Sequence, residues 1–436
     1  MRSQPRGVFR IVRLAAISGI AKGPGFLIPV VIAAFFGAGH TTDAYFLAYG
    51  GVLLVGGTVG QPLEAVIVPF AAHALALGRS AAAVFMESLF RQGVLVGVIS
   101  ALVGAGLIGV AFAASPPEGV AERQVFGFYA LLAPAAVAWC VAGLYSGSLV
   151  SGWHLEVGAI AYGFRGIGAL AGAVAGVAVH TLWPVAVGVS AGEWARVVWL
   201  RSRWRRAIAA IPEGVRGSPE RGLISSALSQ MAAQGMTSGA QFIERFVVGA
   251  VAVAAISRVE YANRLITVAT VLFDGGVAPW LLARWSNARV RTVLRSDWLT
   301  VYQPIAFAVT AAAGVAIAMA LAAPLIVGGV LHHGAFTVDD ATAVTRLLRM
   351  YTAGYFFNMS NLCFERLLLA RTQNRLFATL SAIRATVRVS TVLVLVGSQG
   401  VLALPIGYLL SEAVYLGSLM LVSRREVHFE GLASGT

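Results

Sequence analysis

Five basic residues sit where charge is expensive. Lys22, Arg165, Arg264, Arg384 and Arg388 each fall well inside a long apolar run, away from its polar ends. Lys22 is about eleven residues into its run, or ~16 Å at 1.5 Å per helical residue. Arg165 is about eight residues into the fifth run and Arg264 about nine into the eighth. Arg384 and Arg388, spaced i,i+4, share a helix face midway along the eleventh. A charge at mid-membrane costs roughly 2.5–3.5 kcal/mol even on the most lenient scale, so five cost about 12–17 kcal/mol gross. The clearest acid able to offset this is Glu260, one turn from Arg264. Several of these cations placed around a water-filled cavity would form an electropositive site suited to an anionic substrate. The alternative is that each is satisfied privately, by a carbonyl or a distant acid.

Other polar residues extend the pattern. Asn358, Asn361 and Glu365 fall at i, i+3 and i+7 on one face of the tenth run, turned toward either a cavity or a neighbouring helix. Gly23-Pro24-Gly25 and Pro29 follow Lys22; proline frees carbonyls and lets a membrane helix bend, so Gly25 and Pro29 are hinge candidates. Glu193, Arg196, Glu244, Arg245, Glu365 and Arg366 read as lying within about two turns of a helix end, where long side chains can reach the headgroups. Asp339 and Asp340 follow Thr337, a helix start with Thr337 as cap and acids in the first turn. No HExxH, GxSxG, Walker A or CxxC pattern occurs, and the seven histidines lack metal spacing. The expectation is a transporter with no cofactor, metal or enzymatic chemistry. Without an ATP-binding part, it must be driven by a gradient, the membrane potential or a downhill substrate.

The elements that must carry these residues are membrane helices. Hydrophobic residues make up 58% of 436 and charged residues only 12%, with mean hydropathy +0.80. Soluble domains carry about twice that charged fraction. Apolar runs of about 20 residues recur, each long enough to cross a ~30 Å hydrocarbon core. They predict an all-α polytopic membrane protein with about twelve transmembrane helices, near 11–37, 44–72, 93–114, 124–150, 157–179, 182–200, 223–247, 255–282, 299–321, 339–369, 375–396 and 401–422. The net charge of +13 does not indicate nucleic acid, because the arginines cluster in alternate connections and at the termini. That alternation predicts cytoplasmic termini. A basic linker at 201–222 divides two six-helix lobes, 1–200 and 223–422, followed by a cytoplasmic tail at 423–436. A faint internal echo supports the division. His40-Thr41-Thr42-Asp43-Ala44-Tyr45 and Ser257-Arg258-Val259-Glu260-Tyr261 open the second and eighth spans, with Val68-Pro69-Phe70 and Ala278-Pro279-Trp280 beyond them. Segments 79–91 and 284–297 mix arginines with apolar residues, as surface helices or ordinary loops do.

Four stretches carry a family resemblance. Phe36-Gly37-Ala38-Gly39-His40-Thr41-Thr42-Asp43-Ala44-Tyr45-Phe46 resembles the first outward turn of the MviN/MurJ family of lipid II flippases, relatives of the MATE exporters and polysaccharide flippases. Tyr261-Ala262-Asn263-Arg264-Leu265, His333 to Ala341 and Ala370-Arg371-Thr372-Gln373-Asn374 resemble its later motifs, in the same order. The resemblance implies a cationic cavity that admits the pyrophosphate-sugar head of an undecaprenyl-linked precursor and passes it from inner to outer leaflet. It places Lys22 where the family has a first-helix arginine, Arg264 at a cavity arginine and Asp43 at an acid of the outward turn. The chain departs from the pattern at Ile28-Pro29, where the family has Arg-Asp, and around Gly50, where it has a basic residue. Arg165, Arg384 and Arg388 are candidates to replace those charges.

The leading expectation is therefore a flippase for polyprenyl-pyrophosphate-linked glycans, with lipid II as first substrate. Its partners would be that lipid-linked glycan, membrane lipids and envelope-assembly proteins, in a bacterial cytoplasmic membrane. The rival readings are a non-transporting scaffold in envelope assembly, a MATE-like exporter of cationic drugs, and a membrane glycosyltransferase. The exporter would need mid-membrane acids, and the deep charges here are mainly positive.

Overall fold

In a hydrocarbon solvent every backbone N–H and C=O must be satisfied within the protein, which leaves the helix as the natural state of these apolar runs. The computed structural model describes residues 5–151, 154–213, 223–270, 281, 298–370 and 374–433. The described residues are helical throughout, apart from short turns, and contain no strand. The elements are α1 (Pro5–Phe36), α2 (His40–Val55), α3 (Gln61–Leu77), α4 (Arg79–Ala114), α5 (Glu122–Ser151), α6 (Leu155–Ala178), α7 (Trp183–Ala209) and α8 (Leu223–Gly249). They continue with α9 (255–270), α10 (Trp298–Val330), α11 (Val338–Ala370), α12 (Asn374–Gln399) and α13 (Ala403–Ala433). A π-helical turn, Gly56–Gly60, joins α2 to α3 without a break. This is the all-α polytopic membrane fold expected from the sequence.

Seven of the described stretches are long and apolar enough to cross a membrane by length and composition alone. Helices α7, α8 and α11 fall outside that set and carry the charges Glu193, Arg196, Glu244, Arg245, Arg346, Arg349, Glu365 and Arg366. Segment 79–91 forms no separate surface helix. It is the first part of α4, with Ala82, Phe85, Met86 and Leu89 buried on one face. Nothing between Arg91 and Gly93 breaks the hydrogen-bond ladder, so the helix runs on into the span. Segment 284–297, with Arg284, Arg289, Arg291 and Arg295, lies outside the described residues, as do Ala278-Pro279-Trp280, Arg216, Arg221 and Arg371-Thr372-Gln373.

By contact the chain separates into two compact units. The first comprises Ala16–Ser257 and His333–Phe336; the second comprises Arg258–His332 and Thr337–Thr436, with Met1–Ala15. Within the first, α5 is the central helix, packed by α2, α3, α4 and α7, while α8 packs on α2 and α3. Nearly every residue of α5 from Ala135 to Leu149 is buried. In the second unit α11 packs against α10, α12 and α13.

Glycine decides how closely the helices of the first unit approach. Gly168 and Gly172 of α6 face Gly188 and Gly192 of α7, with the four-residue spacing that lets membrane helices touch backbone to backbone. A methyl group at Gly168 would stand 2.7 Å from the Cα of Gly192, and one at Gly192 would stand 3.0 Å from the Cα of Arg165. The other side of α6 meets α1 in the same way. A methyl at Gly166 would lie 2.8 Å from the amide nitrogen of Gly25, and one at Gly163 3.2 Å from the carbonyl oxygen of Ala21. Overpacked helix contacts cost about 1–3 kcal/mol or more. Gly192→Val should therefore lower the thermal unfolding midpoint of the purified protein and its yield in the membrane. Gly239→Ala, where a methyl meets nothing within 4 Å, should leave both unchanged.

Candidate functional site

The glycine seams bring one set of the expected cations together. Arg165 of α6 places Nη1 3.3 Å from Glu193 Oε1 of α7. Its guanidinium stacks over the Trp139 ring at 4.4 Å and donates to the Tyr49 hydroxyl. Glu193 also holds Arg196, with Oε2 3.4 Å from its Nη1, and both side chains are fully buried. Arg196 lies 4.1 Å over the Tyr162 ring. The Tyr162 hydroxyl donates to Glu64 Oε2 at 2.8 Å, and Ser146 donates to Oε1 of the same carboxylate at 2.7 Å. Lys22 of α1 completes the group, its Nζ 5.5 Å from the centre of the Tyr162 ring. Lys22 makes no ion pair among the described residues.

Glu64 owes its place to α5. Gly143 and Gly147 bring α5 against the backbone at Gly60 and Glu64, beside Ser146. The result is one network of three cations, Lys22, Arg165 and Arg196, and two carboxylates, Glu64 and Glu193. The Glu193 carboxylate is ion-paired with both guanidiniums and accepts a hydrogen bond from Arg196, and the aromatic faces of Trp139 and Tyr162 offset the remaining positive charge.

A second network lies in the second unit. Arg384 of α12 pairs with Glu412 of α13 and stands 3.5 Å from Glu365 of α11. Asn361 Nδ2 donates to Glu412 Oε2 at 2.8 Å and to the Glu412 carbonyl at 3.0 Å. The ring of Tyr415 lies 5.1 Å from Arg384, and that of Tyr408 5.1 Å from Arg388. Arg388 is buried and Asn358 half-buried. Asn361 and Glu365 thus meet neighbouring helices α12 and α13. Arg264 is half-buried on α9, and Glu260 is buried.

Several expectations change. Glu193 and Arg196 do not reach for the headgroups: α7 runs to Ala209, which leaves both mid-helix with no exposed surface. Glu244 and Arg245 are buried on α8 as well. Charged atoms so far from water need partners, which is why Glu193 sits between two arginines. Deep acids are also more numerous than expected. Glu64 and Glu412 were not singled out from sequence, although each lies inside a span. The signal that could have found them is the paired glycine spacing, 143/147, 168/172 and 188/192, which marks where helices meet. At Gly50, where the resemblance expects a basic residue, Arg245 takes the space instead: a methyl there would lie 2.8 Å from its Cδ.

The motif residues act at turns. Asp43, buried in the first turn of α2, accepts the Ser257 N–H at 2.8 Å and the Ser257 hydroxyl. Thr42 caps the same turn through Gly39 N–H at 2.8 Å. Thr337 caps α11 as expected, exchanging hydrogen bonds with Asp340, which Arg258 grips at 2.7 and 2.8 Å. Gly37 and Gly334 adopt φ of +65° and +62°, a region glycine enters freely. Between them the Ala335 N–H donates to the Ala34 carbonyl at 2.8 Å.

The sequence profile of lipid II flippase MurJ matches residues 32–434. The chain belongs to the MurJ lipid II flippase family. Membership makes it a multi-pass membrane transporter and not an enzyme, with the machinery of a flippase for a lipid-linked precursor. The fold of a MurJ lipid II flippase in an inward closed conformation is similar, with TM-score 0.78 and 14% identity over 95% of this chain and 87% of that one. A multidrug resistance MATE transporter in an inward-facing conformation has the same TM-score of 0.78 at 13% identity, covering 95% of this chain and 96% of that one. A MOP superfamily transporter from Pyrococcus furiosus, with a binding pocket of reversed polarity, gives TM-score 0.71 and 13% identity over 97% and 96%. No curated protein matches by sequence.

The two networks of this MurJ-family chain also carry stability. Arg384→Ala would leave Glu412 fully buried without its cation, a loss of about 3–5 kcal/mol. Replacing Arg384 and Glu412 together by Met and Leu removes both charges, and should restore most of the thermal unfolding midpoint that the single variant loses.

Proposed function

We propose that this chain flips a polyprenyl-pyrophosphate-linked glycan, a lipid II-like peptidoglycan precursor, from the inner to the outer leaflet of the bacterial cytoplasmic membrane. The observation that carries the reading is Lys22. It is a cation well within α1, set against the Tyr162 ring and without an acid partner among the described residues. Arg165 and Arg196 beside it already share Glu193. Such a charge is available to phosphate oxygens, and family membership supplies the substrate class. Arg264 is the second proposed ligand, by its place in the Tyr-Ala-Asn-Arg-Leu motif.

In this reading Arg165, Arg384, Arg388, Asn358 and Asn361 tune the field around the head group more than they grip it. Gly25 and Pro29 let α1 bend, while Asp43 and Glu260 serve the turns and gating. The lobes are residues 1–200 and 223–422, joined by the basic linker, and both termini are cytoplasmic. Envelope-assembly proteins are the proposed protein partners. A non-transporting scaffold is the second reading, favoured because Arg165 and Arg384 are committed to carboxylates. A drug exporter like the MATE transporters shares the fold, but the positive surplus around Lys22 disfavours a cationic substrate.

Arginine can grip phosphate bidentately where lysine acts as a point charge. Lys22→Arg should therefore keep flipping, while Lys22→Ala and Arg264→Ala should lose about tenfold or more at normal membrane abundance. Outer-leaflet lipid II and abundance are measured together in cells depleted of their own flippase. Full flipping by both alanine variants at normal abundance would rule out Lys22 and Arg264 as substrate ligands, whereas no flipping by the wild-type chain would leave the scaffold reading standing. Reporter fusions at Arg203 should read cytoplasmic and at Gly39 external.

A further inference from the structure

One strongly basic feature of the second unit plays no part in the networks above. Between α10 and α11 lies a groove of about 670 Å³, lined among others by Pro324, Gly328, His332, Thr342, Arg346 and Arg349. Arg346 and Arg349 are exposed into it, about 8 and 11 residues from the start of α11, or ~12 and ~16 Å along the helix. Unlike Arg384, neither has an ion pair among the described residues. Arg346 has no hydrogen bond there either. Arg349 has one: its Nε donates to the Ala320 carbonyl across the groove at 3.3 Å. That carbonyl is free because its helical partner would be the N–H of residue 324, which is proline. Pro324 therefore fixes the stem of Arg349 while leaving its other donors unused.

Arginines at this depth in a membrane helix need an acceptor. Gly328 keeps the groove open, since a methyl there would meet nothing within 4 Å. Beside the groove, Leu321, Leu325 and Val338 are 75%, 79% and 65% exposed, an apolar margin next to a cationic floor. We infer that this groove binds the phosphate of an anionic membrane lipid. Arg346 and Arg349 fork the phosphate oxygens, His332 adds a donor, and the acyl chains lie along Leu321 and Leu325. Arg is the side chain best matched to phosphate by its planar fork, and the leucines separate a lipid phosphate from a soluble one. The site belongs to the second unit and shares no residue with the network around Lys22, and its occupancy does not depend on which substrate is flipped.

The test uses the purified full-length chain in nonionic detergent, with phosphatidylglycerol as probe and native mass spectrometry as readout. Diacylglycerol and inorganic phosphate serve as the comparison ligands. Wild type should retain phosphatidylglycerol well above diacylglycerol, and inorganic phosphate should not displace it. The paired variant Arg346→Gln, Arg349→Gln should weaken retention about tenfold or more, the scale of lost charge-assisted bonds. Gly328→Leu keeps both arginines and fills the groove, and should lose retention as well; it decides the question if the paired variant does not fold. Lys22→Ala should retain the lipid as wild type does, which separates this site from the proposed flipping site. Undiminished retention by Gly328→Leu would overturn the inference. So would equal retention of diacylglycerol, or displacement by inorganic phosphate, which would mark a purely apolar groove or a soluble-anion site.

Discussion

The closeness of helix α6 to its neighbours is the constraint on which the first unit depends. A charged side chain inside a membrane protein persists only if partners stand within hydrogen-bonding reach, and side chains as short as glutamate reach only a few ångströms from their own helix. Gly168, Gly172, Gly188 and Gly192 remove the side chains that would otherwise hold α6 and α7 apart. Arg165 and Glu193 then meet across the seam. On the other side, Gly163 and Gly166 admit α1, which brings Lys22 to the Tyr162 ring. Gly143 and Gly147 do the same between α5 and α3, delivering Glu64 to Ser146 and Tyr162. Without these contacts the same charges would be dispersed on separate helices, each carrying its own desolvation cost.

The two networks differ in balance. Around Tyr162 three cations face two carboxylates, and the surplus rests on aromatic faces. Around Arg384 two carboxylates, Glu365 and Glu412, converge on one guanidinium, with Arg388 a turn away against Tyr408. A network with a positive surplus suits the anionic head group proposed above. A compensated one mainly fixes the packing of α11, α12 and α13. Similar residue types thus serve different ends, according to how many opposite charges the packing supplies.

The family motifs turn out to be largely turn chemistry. Thr42 and Thr337 cap helices, Gly37 and Gly334 supply left-handed backbone, and Asp43 and Asp340 each receive donors from the start of α9. The openings of the second and eighth spans are in contact, since Thr42 and Asp43 of one bond to Ser257 of the other.

Composition and periodicity alone determined the class, because apolar runs of membrane length can satisfy their backbone groups only as helices. Depth along each run was enough to single out Lys22, Arg165 and Arg384, because cost depends on distance from the helix ends. Partner identity was not available in the same way. Glu193 lies 28 residues from Arg165, and Glu412 28 residues from Arg384, separations over which no helical periodicity relates two side chains. Whether a deep cation is satisfied or left open is decided by which helix faces meet. That is fixed by small residues on both helices at once, so Arg384 proved to be paired while Lys22 meets the Tyr162 ring and no acid among the described residues. The arginines at 346 and 349 show the same division. The sequence placed them on a helix, and only the packing of α10 against α11, with Pro324 exposing one carbonyl, gave them a groove to line.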